Sequence, residues 1–152
     1  MIRKIFENEL EKWQKILQTI YIDAYGTQER GRSIAYDVLL DEYKNGHMFF
    51  VSQEDDKIVG VLRLMRRDNY YIIKDIAILL EYQRKGYGEE LIEFAKRETK
   101  ELGASKVSLG FFDDNISLRN WYEKHGFNSV TTFPFNNSPD PKQIIRVMEC
   151  MV

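Results

Sequence analysis

Cysteine and proline are scarce in this sequence. Cys150 is the single cysteine, which excludes an intrachain disulfide and fits a reducing compartment such as the cytoplasm. The three prolines, Pro134, Pro139 and Pro141, all lie late in the chain. No proline-rich linker therefore divides the sequence, and we expect residues 1–152 to form one domain.

Long apolar runs and a large net charge are also missing. No stretch approaches the roughly 20 apolar residues that a membrane-spanning helix needs. The N-terminal segment has no signal-peptide core, because Asn8–Lys12 is polar. A net charge of −2 provides no electrostatic attraction to nucleic acid or to an anionic membrane. We therefore expect a cytoplasmic protein with neither kind of partner.

The apolar share of 43% is typical of a packed globular protein, and its periodicity predicts the order β-α-α-β-β-β-α-β-α-β-β. The predicted strands are Ile2–Phe6, Met48–Ser52, Ile58–Met65, Tyr70–Leu80, Lys106–Phe112, Phe127–Phe135 and Ile144–Met151. The predicted helices are Glu9–Tyr25, a segment capped by Ser33 and stopped by Asn45 and Gly46, Gly88–Leu102, and a segment that follows caps in Asp113–Asn115 and runs to about His125. This mixed order favours an α+β fold with a twisted, mostly antiparallel sheet of about seven strands flanked by helices. The strands on either side of the Gly88–Leu102 helix should be parallel.

A basic, glycine-containing turn, Glu81–Glu90, joins the Tyr70–Leu80 strand to the Gly88–Leu102 helix. Glycine lets the backbone turn sharply, and the start of a helix presents unpaired N–H groups with a partial positive charge. Arg84 and Lys85 add full positive charge there. The stretch therefore predicts an anion site, most naturally for phosphate or pyrophosphate.

Two blocks of the sequence, Gln83–Gly88 and Asn115–Phe127, together resemble the GNAT family of N-acetyltransferases. Gln83–Gly88 matches the family pattern Gln/Arg-x-x-Gly-x-Gly/Ala, and Asn115–Phe127 has an asparagine, a tyrosine seven residues later, and then Gly-Phe. The resemblance covers nearly the whole chain and is weakest before Gly46. Leu80 departs from it, since the family often has proline there, and we expect a slightly different turn entry without loss of the site.

The resemblance implies a GNAT-like fold and an acetyl-CoA-dependent acyltransferase, with acetyl-CoA as co-substrate and no metal. Backbone N–H groups of the loop would hold the coenzyme A pyrophosphate, and the end of the preceding strand would pair with the pantetheine arm. The residues implied in coenzyme binding are Ile76, Ala77, Ile78, Gln83, Arg84, Lys85, Gly86, Tyr87, Gly88, Glu89, Asn115 and Tyr122.

Tyr122 is the implied catalytic acid, and Asn115 is implied to hold the pantetheine arm. A phenol is neutral at pH 7 and can protonate a leaving thiolate of comparable basicity. Asp75 is the preferred candidate for the base that deprotonates the attacking amine, ahead of Glu81, although a chain of waters could serve instead of either. No spacing of His, Cys and Asp predicts a metal site.

The acceptor is expected to be a primary amine with an apolar body. Aromatic and acidic residues near the first two helices and the late loop are candidates for its pocket: Tyr25, Glu29, Tyr36, Phe112 and Phe135. The transfer would proceed by direct attack in a ternary complex. A monomer and a homodimer both remain open.

Three other interpretations remain open from the sequence. The same chemistry could act on a protein or peptide amine. The chain could instead be a non-catalytic acyl-CoA sensor, although Tyr122 argues against this. A nucleotide-binding protein is the weakest reading, because no Gly-x-x-x-x-Gly-Lys-Ser/Thr motif occurs.

Overall fold

A computed structural model describes residues 1–25, 35–135 and 143–152, apart from the side chains of residues 24 and 25. The strands are β1 (Ile2–Lys4), β2 (Met48–Glu54), β3 (Lys57–Arg67), β4 (Tyr70–Ile78), β5 (Lys106–Phe112), β6 (Asn128–Pro134) and β7 (Ile144–Met151). The helices are α1 (Leu10–Tyr25), α2 (Tyr36–Lys44), α3 (Tyr87–Glu101) and α4 (Ile116–Lys124). The predicted element order is therefore confirmed. Ser33, the predicted cap, lies outside the described residues, as does the predicted loop at 136–142.

One sheet runs through the described residues, with seven strands in the order β1-β2-β3-β4-β5-β7-β6. β4 and β5 are parallel, as predicted from the connecting helix, and the other neighbouring pairs are antiparallel. This arrangement confirms the α+β fold with a mostly antiparallel sheet. Because β4 and β5 are both central, their carboxyl ends meet in the middle of the molecule.

Helices cover both faces of the sheet because each helix has an apolar stripe. On one face, α1 and α2 contribute Trp13, Leu17 and Leu39 to a core that includes Phe49 and Val51 of β2. Trp13 is fully buried, and its Nε1 donates to the Phe50 carbonyl at 3.0 Å. This hydrogen bond satisfies the indole in the core and fixes α1 against the sheet.

The opposite face carries the helices that follow β4 and β5. Leu91, Ile92 and Ala95 of α3 are fully buried and pack with Tyr122 of α4 and Phe127. α3 is amphipathic, with an apolar face towards the sheet and a charged face opposite, and this periodicity makes the helix clear in the sequence. The two helices are thereby held over the strand ends of β4 and β5.

The ends of β4 and α3 differ from the sequence prediction. β4 ends at Ile78, not at Leu80, because Leu80–Tyr82 forms a single turn of 3-10 helix. α3 begins at Tyr87, one residue earlier than predicted, because Gly86 takes the N-cap position with a left-handed φ of 91°. The connection between strand and helix therefore covers residues 79–86, one residue longer than the predicted connection at residues 81–87.

Gly60 of β3 has no side chain, and Ile78 at the end of β4 occupies the space that this leaves. The two residues are opposite one another in the ladder, and a Cβ added at Gly60 would overlap Ile78 Cδ1 and lie 3.1 Å from the Ala77 carbonyl oxygen. Glycine is needed here for close approach and not for a special φ. The end of β4 thus depends on a missing side chain in β3.

Substituting Gly60→Ala should lower the free energy of unfolding by about 1–3 kcal/mol, because Ile78 must move within a packed core. Urea unfolding followed by tryptophan fluorescence measures this change. Gly88→Ala is the matched control, since its Cβ would lie 3.5 Å from Trp121, an ordinary contact. Equal losses in both variants would contradict the close-approach argument.

Candidate functional site

The parallel pairing of β4 with β5 stops halfway along the strands. Pairs are formed from Tyr71–Val107 to Ile73–Leu109, while β4 continues to Ile78 and β5 to Phe112. In the β3–β4 ladder Arg63 is opposite Asp75 and Leu64 is opposite Ile73, so Lys74 is an extra residue, a β-bulge. A bulge bends its strand. β4 therefore diverges from β5, and a gap opens between their carboxyl ends.

The gap exposes one edge of the β4 backbone. The Leu79 N–H donates to the Val59 carbonyl at 2.9 Å, so by antiparallel alternation Ala77 also faces β3, while Ile76 and Ile78 face the gap. The Ile78 carbonyl accepts from Gln83 Nε2 at 3.0 Å. The N–H and carbonyl of Ile76 and the N–H of Ile78 therefore face the gap. They form an open strand edge to which an extended ligand could add like another strand.

Left-handed backbone conformations shape the loop between β4 and α3. Arg84 has φ 62° and Gly86 has φ 91°. Helix geometry leaves the N–H groups of Tyr87, Gly88 and Glu89 without an intrahelical partner, and the first intrahelical bond comes from Glu90 N–H to the Gly86 carbonyl at 3.1 Å. Converging N–H groups at the positive end of a 15-residue helix form a strong anion site.

A cleft of about 750 Å³ runs from this loop along the open edge of β4, and we call it the loop cleft. It is lined by Ile20, Tyr21, Ile76, Ala77, Ile78, Gln83, Arg84, Lys85, Gly86, Gly88, Glu89, Asn115, Leu118, Trp121 and Tyr122. Tyr87 differs from the other residues expected to bind coenzyme, since it does not line the cleft. Its ring packs at 6.2 Å from that of Tyr82, and desolvation, with the nearby Glu54 carboxylate, raises the pKa of its hydroxyl.

A second cavity of about 420 Å³ lies in the gap itself, and we call it the aromatic chamber. It is lined by Tyr21, Ile73, Lys74, Asp75, Ile76, Leu109, Gly110, Phe111, Phe112, Asp114, Asn115, Leu118, Tyr122, Phe135 and Ile145. The residues shared with the loop cleft define a neck between the two cavities: Tyr21, Ile76, Asn115, Leu118 and Tyr122. A molecule in each cavity would meet the other at this neck.

α4 positions two of the neck residues. Asn115 is its N-cap, and its Oδ1 accepts from the Leu118 N–H at 3.1 Å. Tyr122 is 4% exposed, and its ring lies 5.4 Å from that of Phe111 and 5.7 Å from that of Phe127. The cap and the aromatic packing fix both side chains against the end of β4.

The residues expected to line an acceptor pocket are only partly brought together. Phe112 and Phe135 both line the aromatic chamber, with ring centroids 5.2 Å apart. Tyr36 is the first residue of α2, is 41% exposed and lines neither cavity. Glu29 and the side chain of Tyr25 lie outside the described residues.

Asp75 belongs to a buried charge network on the α1–α2 face. Its Oδ2 lies 2.6 Å from Arg63 Nε, and its Oδ1 accepts from the Tyr21 hydroxyl at 2.9 Å. Arg63 is 1% exposed and also pairs with Glu42 of α2. His47 Nδ1 lies 3.8 Å from Glu42 Oε2, and burial lowers the pKa of this histidine. One guanidinium is therefore shared by two carboxylates.

Sequence reasoning missed several of these residues. Leu118 and Trp121 could have been found, because they follow Asn115 at steps of three along α4 and so share its face. Tyr21 and Arg63 gave no local signal. Their place at the site depends on how α1 and β3 pack against β4.

Metal ligands do not gather in the part of the chain that the structure describes: it contains no group of three or more His, Cys, Asp or Glu side chains placed to hold an ion. In the same part of the chain, every helix is too short or too polar to cross a bilayer.

Comparison with known proteins gives a family match over most of the chain. The model of the acetyltransferase (GNAT) family matches residues 10–127. Uncharacterized N-acetyltransferase YvbK of Bacillus subtilis (strain 168) is 30% identical over 90 residues, 59% of this chain and 58% of that protein. Streptothricin acetyltransferase A of the same strain is 30% identical over 104 residues, 66% of this chain and 60% of that protein. The chain thus aligns with less than two thirds of the length of each.

Solved structures share the fold over the whole chain. PaiA N-acetyltransferase of Thermoplasma acidophilum, solved in complex with coenzyme A, has a TM-score of 0.80 at 21% identity. The alignment covers 100% of this chain and 98% of that protein's chain. Ribosomal-protein-S18-alanine N-acetyltransferase of Escherichia coli has a TM-score of 0.81 at 18% identity, and the alignment covers 100% of this chain and 93% of that protein's chain.

Removing the shared cation should destabilise the protein strongly. Arg63→Met leaves Asp75 and Glu42 without their buried counterion, and we expect the free energy of unfolding to fall by about 3–5 kcal/mol. Arg119→Met is the control, because Arg119 pairs with Glu123 on the surface, and its loss should cost less than about 1 kcal/mol. Chemical unfolding of both variants at pH 7 measures the difference, and similar small losses would show that the network adds little.

Proposed function

The chain belongs to the acetyltransferase (GNAT) family, and from this premise we propose that it is an acetyl-CoA-dependent N-acetyltransferase acting on a small primary amine. The observation that carries the proposal is the meeting of two cavities at a neck that contains Asn115 and Tyr122. One cavity has the features of a coenzyme site, and the other has those of an amine site. A cytoplasmic location is part of this proposal, because the buried Cys150 is a free thiol.

Acetyl-CoA is assigned to the loop cleft. Its pyrophosphate would bind the N–H groups at the start of α3, with Arg84 and Lys85 beside them. Its pantetheine arm would lie along the backbone edge at Ile76 and Ile78. Asn115 would hold the arm near the neck. This places the thioester at Tyr122, with the Ile78 N–H directed towards the gap, where it could stabilise the charge that develops on the thioester oxygen.

The amine is assigned to the aromatic chamber. A volume of about 420 Å³ lies within the usual range for small-molecule pockets. The aromatic rings suit an apolar body, and they attract a cation at their faces. Arg63 is shared by Asp75 and Glu42, so the network keeps one net negative charge, and Asp75 is its member that lines the chamber. Lys74 and Asp114 also line the chamber, and their opposite charges leave this balance unchanged. An ammonium group is therefore favoured there over an anion.

The reaction follows from these positions. The amine loses a proton, with Asp75 as the proposed base, and attacks the thioester carbon. The tetrahedral intermediate expels the thiolate, and Tyr122 donates its hydroxyl proton to the sulfur. Attack in a ternary complex requires both substrates at once, which two connected cavities allow.

The acceptor class is tested by a turnover screen. Wild-type protein is mixed with acetyl-CoA and with polyamines, aminoglycosides, streptothricin, amino acids and short peptides, and free CoA is measured. We expect turnover with a small amine that combines a cation and an apolar body. Turnover on peptides alone would move the assignment to a peptide acetyltransferase, and CoA binding without any turnover would replace it with a sensor.

Gly86→Ala should weaken coenzyme binding about tenfold, because alanine disfavours the left-handed φ of 91° that orients the loop N–H groups. Gly103→Ala is the matched control: Gly103 has φ 84°, nothing lies within 4 Å of a Cβ added at either glycine, and Gly103 follows the far end of α3. Isothermal titration with CoA measures both. The loop assignment fails if both variants bind CoA as wild type does.

Tyr122→Phe should lower kcat by about 100-fold while the Kd for CoA changes less than about twofold, because only a proton donor is removed. Tyr71→Phe is the control, since Tyr71 is 7% exposed, lies in the same core cluster and lines neither cavity. Steady-state kinetics and CoA titration separate the two effects. An unchanged kcat would show that Tyr122 is not the acid.

A further inference from the structure

Tyr21 of α1 lines both cavities and is hydrogen-bonded to Asp75. It is the α1 residue shared by the two lining sets, and its hydroxyl donates to Asp75 Oδ1 at 2.9 Å. Asn115, Tyr122 and Tyr21 are the polar side chains of the neck. One hydroxyl of the neck is assigned to the sulfur, and the other is connected to a buried carboxylate.

Asp75 by itself is poorly placed to receive the amine. Its side chain is 4% exposed, one oxygen is 2.6 Å from Arg63 Nε, and the other accepts the Tyr21 hydroxyl. A side chain that is 4% exposed leaves little room for an amine, and displacing either partner from a buried carboxylate to make room would be costly. A phenolic oxygen donates one hydrogen bond and can accept others, so Tyr21 can connect the amine to Asp75 without breaking either contact.

We propose that Tyr21 is a catalytic residue that relays the proton of the acceptor ammonium to Asp75. This inference rests on the proposed function. The ammonium transfers one proton to the Tyr21 oxygen while the Tyr21 hydroxyl proton moves to Asp75 Oδ1, which leaves a neutral amine, an intact phenol and a carboxylic acid.

The remaining protons balance without any further reagent. The amine nitrogen forms its bond to the thioester carbon, the C–S bond breaks, and the thiolate takes the Tyr122 proton. The second proton of the nitrogen, now positively charged, restores Tyr122. Asp75 returns its proton through Tyr21 to solvent when the products leave, so one proton is released for each acetyl group transferred.

Charged and titratable groups from several elements surround Tyr21 and Asp75 and affect the pH dependence of the relay. They are Glu42 of α2, His47 before β2, Arg63 of β3, Lys74 of β4, Asp114 after β5 and Tyr122 of α4. Arg63 is the cationic partner of Asp75, with its Nε 2.6 Å from Asp75 Oδ2. Glu42 also forms an ion pair with Arg63, so the guanidinium neutralises only part of the charge on Asp75.

The test is the pH–rate profile of Tyr21→Phe on the best amine found for the wild type. Without the relay, only amine that is already deprotonated in solution can react, and a lysine-like amine has a pKa of about 10.4. We expect kcat/KM to be about 1000-fold below wild type at pH 7. The deficit should shrink by about tenfold for each unit of pH as the amine deprotonates, with little remaining near pH 10.

Tyr43→Phe is the matched control. Tyr43 is a half-buried helical tyrosine on the same face of the sheet, packed 5.8 Å from Phe49 and outside both cavities. It should leave the profile unchanged. CoA titration of Tyr21→Phe should match wild type, and its chemical unfolding should remain cooperative, with a lower midpoint from the lost hydrogen bond to Asp75. These two measurements separate loss of a proton path from loss of the fold.

The outcomes separate the relay from the proposed function. A deficit of constant size from pH 7 to pH 10 would assign Tyr21 a structural role, and no deficit would exclude it from the proton path. Either result overturns the relay and leaves acetyl transfer standing. Absence of wild-type turnover on every amine and peptide would overturn the proposed function and the relay with it.

Discussion

The end of pairing between β4 and β5 is the feature on which the whole site depends. The ladder stops at Ile73 and Leu109, and the bulge at Lys74 turns the end of β4 away. One change in a central sheet has two results. It leaves the Ile76 and Ile78 backbone facing a gap, and it makes room for a chamber between the strands. The proposed coenzyme edge and the proposed acceptor cavity are therefore formed by the same change and lie next to each other.

An opened sheet has to be stabilised by other contacts, and the buried network around Arg63 supplies them. Arg63 of β3 pairs with Asp75 just beyond the bulge and with Glu42 of α2, while Tyr21 of α1 binds Asp75. These bonds tie both helices of one face to the displaced part of β4. The same bonds set the electrostatics of the chamber, since an excess carboxylate faces it. The same side chains thus stabilise the fold and underlie the proposed acceptor preference.

Local sequence accounts for the proposed coenzyme side of the site and for much less of the proposed acceptor side. The elements and their order, the parallel β4–β5 pair and the glycine turn follow from periodicity and turn chemistry, and the loop and α4 residues are close in sequence to those signals. Tyr21 and Arg63 are different, because a tyrosine in an amphipathic helix and an arginine in a buried strand have no local pattern. Residues 79–87 were predicted less well, since a 3-10 turn at Leu80–Tyr82 is too short to show periodicity.

This division has a physical reason that reaches beyond individual residues. The loop cleft is lined mainly by two contiguous segments, 76–89 and 115–122, so its shape is set by local backbone geometry and one helix cap. The aromatic chamber draws on α1, β4, β5 and the chain around Phe135 and Ile145, which are far apart in sequence. Its walls are therefore fixed by tertiary packing, and a substitution in any one of these elements can change the chamber while the loop stays as it is. Under the proposed assignment, the donor site can therefore stay unchanged through substitutions that alter the acceptor cavity, provided that the neck between Tyr21 and Tyr122 keeps its width.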